Sequence, residues 1–145
     1  MSKKIKVKKD KEKIILLAED DKYISAAYKS GLERVGYKVL HAVNGIEALR
    51  FARQEIPDIV LLDIIMPTMD GFEVLEEFKA DKMLKSIPVI VLSNLGQDAD
   101  IIKAKAMGAI DYLVKSNYSM VEVLKKIDNH LGKIRGKEFK AKLKK

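Results

Sequence analysis

The chain has 145 residues, 48% of them hydrophobic, a net charge of +7 and no cysteine. That is the size of one domain with one good core, too apolar for a disordered chain, with no disulfide scaffold, thiolate metal site or thiol chemistry. No run approaches the roughly 18 apolar residues of a membrane span, and the lysine-rich start leads only into the short Ile14–Ala18 stretch, so a cytoplasmic protein is expected.

The charge is unevenly placed. Seven lysines against Asp10 and Glu12 put residues 1–13 at +5, residues 133–145 stand at +6, and the middle is left at −4. This divides the chain into a basic N-terminal tail (1–12), one domain (13–132) and a basic C-terminal tail (133–145). Basic tails can contact nucleic acid or an anionic surface. With Phe139 the one aromatic residue in them, they read first as solvated ends.

From Lys13 onward short apolar runs alternate with amphipathic stretches, the pattern of repeated βα units. Ile14–Ala18 is the first strand. Asp20 or Asp21 caps a helix over about 22–35, with Ile24, Ala27, Tyr28, Leu32 and Val35 at helical spacing and Gly36 as the stop. Tyr37–Val43 is the second strand, and Asn44-Gly45 turns into a helix through Ile46, Leu49, Phe51 and Ala52 that Pro57 closes. The third strand is Ile59–Asp63, and Gly71 opens a helix that runs to about Asp81. Pro88 precedes a fourth strand, Val89–Leu92, followed by a helix near 98–107 with Ile101, Ile102, Ala104 and Ala106. A fifth strand spans about 110–114. The last helix, roughly 118–132, carries Met120, Val123, Leu124, Ile127 and Leu131 on one face and ends at Gly132. Five strands and five helices in strict alternation predict a three-layer, doubly wound parallel sandwich.

Such sheets gather their chemistry beyond the carboxyl ends of the strands. There the first strand offers Glu19, Asp20 and Asp21, the third Asp63, the fourth Ser93 and the fifth Lys115. Glu19, Asp20 and Asp63 can supply part of the oxygen shell that Mg²⁺ prefers. A carboxylate that attacks phosphorus needs its charge and that of the phosphoryl oxygens offset, a task for a cation, Lys115 and the Ser93 hydroxyl. Each residue alone is an ordinary cap, turn or strand end; the coincidence of all four tips is what points to phosphoryl chemistry. No glycine-rich phosphate loop is present, so nucleotide binding is not expected.

Four blocks in order, Ala18-Glu19-Asp20-Asp21, Leu61 to Pro67 with Asp70-Gly71, Val91-Leu92-Ser93 and Gly108 to Lys115, resemble the receiver domain of two-component response regulators, chemotaxis regulators among them. The resemblance covers about 13–132. The separations of 43, 30 and 22 residues between Asp20, Asp63, Ser93 and Lys115 are also similar to that family's. It implies a flavodoxin-like five-stranded sheet in the order 2-1-3-4-5. It also implies that Asp63 accepts a phosphoryl group from a sensor histidine kinase or phosphotransfer protein, and that Glu19, Asp20, Asp63 and the backbone carbonyl of Ile65 hold Mg²⁺. Ser93 moves toward the phosphoryl group, Lys115 pairs with it, and the Tyr112 ring swings inward in step. Asp21 is left as a helix cap or a support to the acidic pair.

The chain departs from the pattern where Ser116 follows Lys115 in place of proline, predicting a trans bond and a rearranged 115–119 loop. Ile65 and Leu95 are apolar where a polar group can position water, so both are expected to slow loss of the phosphoryl group. His41 and His130 lie away from the strand tips and read as surface or packing residues. A phosphatase of the haloacid dehalogenase type needs a second Asp two residues after the first, where this chain has Ile65. The expectation is therefore a single-domain switch with no enzymatic turnover beyond self-phosphotransfer and autodephosphorylation, acting through a partner docked on the helix 4–strand 5–helix 5 face, as a monomer or a phosphorylation-dependent dimer. The alternative is a phosphorylation-independent docking module or a binder of nucleic acid or anionic surfaces through the tails.

Overall fold

A computed structural model describes residues 12–132. The tails inferred from charge, 1–12 and 133–145, lie outside the described residues apart from Glu12. Strands β1 (Ile14–Ala18), β2 (Lys38–Ala42), β3 (Ile59–Leu62), β4 (Val89–Ser93) and β5 (Asp111–Val114) alternate with helices α1 (Lys22–Arg34), α2 (Gly45–Gln54), α3 (Gly71–Ala80), α4 (Asp98–Ala106) and α5 (Met120–Leu131). All pairings are parallel, in the order β2-β1-β3-β4-β5, the flavodoxin-like arrangement.

Strand parity sorts the core into two layers. Leu16, Val60, Leu62, Val89 and Val91 face α2, α3 and α4, meeting Leu49, Val74, Leu75 and Phe78. Ile15, Leu17, Ile59, Leu61, Ile90 and Leu92 face α1 and α5, meeting Leu32, Val123, Leu124 and Ile127. Helices cover both faces, which is why β1, β3 and β4 read as unbroken apolar runs rather than alternating ones.

Several boundaries differ from those expected. β2 is shorter than Tyr37–Val43 and β5 starts at Asp111. β3 ends at Leu62, although the Asp63 N–H still donates to the Ala18 carbonyl at 3.0 Å. The last helix begins at Met120, not 118, because Ser119 and Glu122 form a reciprocal capping box, an S-x-x-E signal legible in the sequence. On α4 only Ala104 is buried, and Ile102 is 68% exposed. All described peptide bonds are trans, as expected for Lys115–Ser116, and Lys115–Asn117 forms a single 3₁₀ turn.

Gly71 is set by close approach. A Cβ there would stand 2.5 Å from the Asp63 carbonyl oxygen and 2.7 Å from the Ile64 Cα, both backbone atoms with little freedom. Gly71→Ala is therefore expected to lower unfolding free energy by about 1–3 kcal/mol in urea titrations. An unchanged midpoint would mean the turn yields freely.

Candidate functional site

The tips of the first, third and fifth strands deliver Glu19, Asp20, Asp63 and Lys115 to one opening of about 210 Å³, lined also by Ile65 and Asn94; Ser93 at the fourth is fully buried and not among its lining residues. Each is placed by local chemistry. Asp63 follows β3 and is anchored by its N–H to β1, while the chain beyond it doubles back through Thr68, whose positive φ of 69° closes the turn. Asp70 then caps α3 in a reciprocal box with Glu73, and the Gly71 N–H donates to the Ile64 carbonyl at 2.8 Å. The Asp70-Gly71 pair thus fixes the loop after Asp63.

On the neighbouring strand the Glu19 N–H donates to the Ala42 carbonyl at 2.9 Å. Asp21 is the N-cap of α1, accepting from the Tyr23 and Ile24 N–H groups, and its own N–H donates to Glu19 Oε2 at 3.0 Å. Asp21 therefore fills both roles left open for it. Asp20 is exposed, whereas Glu19 and Asp63 are only 3% and 6% exposed.

Lys115 ties the buried pair together. Its Nζ donates to Asp63 Oδ2 at 3.0 Å and also to Glu19 Oε1. The second Asp63 oxygen accepts the Ile65 N–H at 3.1 Å. Burial raises the Glu19 carboxyl above its usual value; the Lys115 hydrogen bond opposes this and the Asp63 charge reinforces it. For Lys115 burial works against the charge, but the two carboxylate bonds prevail and its pKa is raised. With a trans bond after it, Lys115 is still within reach of both carboxylates.

Carboxylate oxygens of Glu19, Asp20 and Asp63 lie within 4.8 Å of one another. Three hard oxygen donors, one of them solvent-exposed, suit Mg²⁺ with retained waters. The donor set fits.

Ser93 and Tyr112 meet at one residue, Leu95. The Ser93 side chain is fully buried, and its Oγ accepts the Leu95 N–H at 3.3 Å. The Tyr112 hydroxyl donates to the Leu95 carbonyl, and the ring is inside at 6% exposure. Burial, then the charges of Asp100 and Asp63, raise the phenol pKa, so it stays protonated as a donor.

Two expectations need adjusting. Leu95 packs against the core beside α4 and is not among the residues lining the acidic opening; Asn94, which the sequence reading passed over, is. His41 is more than a packing residue: its Nε2 lies 2.8 Å from the Glu19 carbonyl oxygen. The structure places it in β2 level with Leu17 of β1, and so beside the acidic turn. His130 lies near Asp111, at 4.0 Å, away from the rim.

The model of the response regulator receiver domain matches residues 15–128. Protein PilH of Pseudomonas aeruginosa is 39% identical over 101 residues, 70% of this chain and 84% of PilH. The DNA-binding dual master transcriptional regulator RpaA of Synechocystis is 39% identical over 113 residues, 78% of this chain but 46% of RpaA. The chain thus spans less than half the length of such transcriptional regulators. The crystal structure of Vibrio cholerae chemotaxis protein CheY4 superposes with a TM-score of 0.77 at 28% identity, covering 82% of this chain and 98% of that one.

A phosphoacceptor signalling domain is the class that fold and comparisons define. The chain belongs to the response regulator receiver family of two-component systems. Members are signalling switches rather than classical enzymes, take their signal from histidine kinases or phosphotransfer proteins, and bind Mg²⁺ at an acidic pocket. Among the described residues no helix is long and apolar enough to cross a membrane.

Proposed function

We propose that Asp63 is the phosphoacceptor of this domain, with Glu19, Asp20 and the Ile65 carbonyl completing a Mg²⁺ site around it. The observation that carries the reading is the Asp63 carboxylate itself, nearly buried yet on an open rim, paired with Lys115 and beside two further carboxylates. An Asp63 oxygen attacks the phosphorus of a phosphohistidine; the P–N bond breaks as the P–O bond forms, and the electron pair returns to the ring nitrogen, which is protonated. Mg²⁺, when bound, offsets the charge on the phosphoryl oxygens. Lys115 keeps one hand on the acid pair and presents its ammonium to the incoming anion. The Ser93 hydroxyl turns toward the phosphoryl group, breaking its bond to the Leu95 N–H, and through Leu95 the change reaches Tyr112 on the carbonyl side.

Self-phosphotransfer from small donors and autodephosphorylation belong to this reading, as does a cytoplasmic setting. The output face is proposed along α4, β5 and α5, where Ile102, Ile110 and Val121 are exposed. The division into a 13–132 domain with basic tails remains part of the proposal. Borohydride trapping after incubation with a small phosphodonor, followed by peptide mass mapping, is expected to mark Asp63 and no other residue. A mark elsewhere, or none, removes the reading.

Ile65 stands 57% exposed at the mouth of the opening, where it shields an acyl phosphate from water. Ile65→Ala is expected to shorten the phosphorylated lifetime several-fold, and Leu95→Ala to shorten it less. An unchanged decay of the phosphorylated mass in Ile65→Ala would mean the side chain shields nothing.

A further inference from the structure

We infer that His41 is a positioning residue for the metal-binding turn, holding the Glu19–Asp20 peptide in place through its ring N–H. A carbonyl oxygen can only accept, so at 2.8 Å the Nε2 of His41 is the donor and carries the proton. The ring takes over from the sheet. Up to Glu19 the turn is held by backbone, the Glu19 N–H donating to Ala42. One group further, β2 has ended and Asn44 has turned away to cap α2. A continued parallel ladder would bring a backbone donor to the Glu19 carbonyl; here the side chain of β2 supplies it.

The consequence reaches both acids. Glu19 is held on both sides of its Cα, its N–H on the Ala42 carbonyl and the Glu19–Asp20 peptide on His41, so its side chain leaves the backbone in a fixed direction toward Lys115 and Asp63. The next residue is Asp20, whose exposed carboxylate depends for its aim on the same peptide plane. His41 and Asp20 both line one further opening of about 310 Å³ on the α1 side. Groups that orient metal ligands from behind typically matter about 10–100-fold in metal affinity.

This inference rests on the metal reading above. The test is Mn²⁺ binding followed by water-proton relaxation on the full chain, its His41→Leu variant and its His41→Gln variant, with far-UV circular dichroism on each. Leucine fills the half-buried space without a donor, and the glutamine amide nitrogen lies near the position of Nε2. About tenfold weaker binding is expected for His41→Leu, with most of the affinity recovered in His41→Gln. A purely structural role would not be rescued by the amide. Equal affinity of the leucine variant and the parent overturns the inference, as does a glutamine variant no better than leucine. No Mn²⁺ binding by the parent overturns the metal reading and this inference with it. A long-range ¹H–¹⁵N spectrum of the unaltered chain gives a check free of any folding defect: the Nε2–H tautomer of His41 is expected, and an Nδ1–H tautomer alone would overturn the assignment.

Discussion

Asp63→Asn is expected to abolish phosphorylation. Incubated with a small phosphodonor and Mg²⁺, the parent chain should gain one phosphoryl group by intact mass, and the variant none. Asparagine preserves the volume and can still accept the Ile65 N–H, so the β3 turn stays in place. What it lacks is the anionic oxygen that attacks phosphorus. It also removes one of the two buried charges that Lys115 balances, relieving the repulsion felt by Glu19. The variant should therefore stay folded, so that loss of the mass gain reports chemistry and not collapse. Omitting Mg²⁺ should suppress the gain in the parent. A parent that never gains the group would leave a docking module that uses the same surface without phosphorylation.

The second large effect concerns Lys115. With its side chain 11% exposed and bonded to two carboxylates that are less exposed still, its removal strands both. Breaking a buried charge pair from one side costs about 3 kcal/mol or more, and Lys115→Ala should lose about that much in metal-free urea unfolding at neutral pH. Millimolar Mg²⁺ should recover part of it, since the cation supplies the missing countercharge.

The pH dependence follows from the two raised pKa values. For Lys115, the stabilising contribution is complete below the unfolded value of 10.5 and is lost as pH rises through the higher folded value. The parent should therefore lose stability in that alkaline window and converge on the variant. Glu19 has the opposite meaning. Its folded pKa lies above 4.5, so its contribution is present when protonated, below 4.5, and is lost as pH rises through the folded value. Without Lys115, which lowers the Glu19 pKa in the parent, the variant gains more from this protonation, so acid should also narrow the gap between the two chains. A deficit below about 1 kcal/mol, or one indifferent to both Mg²⁺ and pH, would mean that Lys115 is not the countercharge of the pair.

Most of the architecture is encoded in local pattern. The apolar runs at 14–18, 59–62 and 89–92 are long enough for strands and too short for helices, and Gly36, Gly71 and Gly132 mark where helices stop or start. Those signals depend on a few neighbouring residues and survive being read in isolation. The identity of the reactive set was legible for the same reason: Glu19, Asp20, Asp63, Ser93 and Lys115 each stand at the end of a run whose direction is known once the strands are parallel. Ser119–Glu122 was equally local and set a helix start that apolar periodicity alone misplaced by two residues.

Pairwise relations across the sheet were not legible, because they depend on register and rotamer. That Lys115 spans Glu19 and Asp63 requires β5 and β1 to bring their ends to a common rim with β3 and β4 between them, and a side chain long enough to cross. That Leu95 turns inward while Asn94 lines the opening is settled by one residue of phase after β4. His41 is the clearest case. In the sequence it is a polar residue in a strand; only parallel pairing with β1, and the early end of β2, puts its ring nitrogen on the Glu19 carbonyl. A carbonyl deprived of its ladder partner must find another donor when it is half-buried. Which side chain provides that donor depends on packing between elements distant in sequence, and no local pattern carries that information.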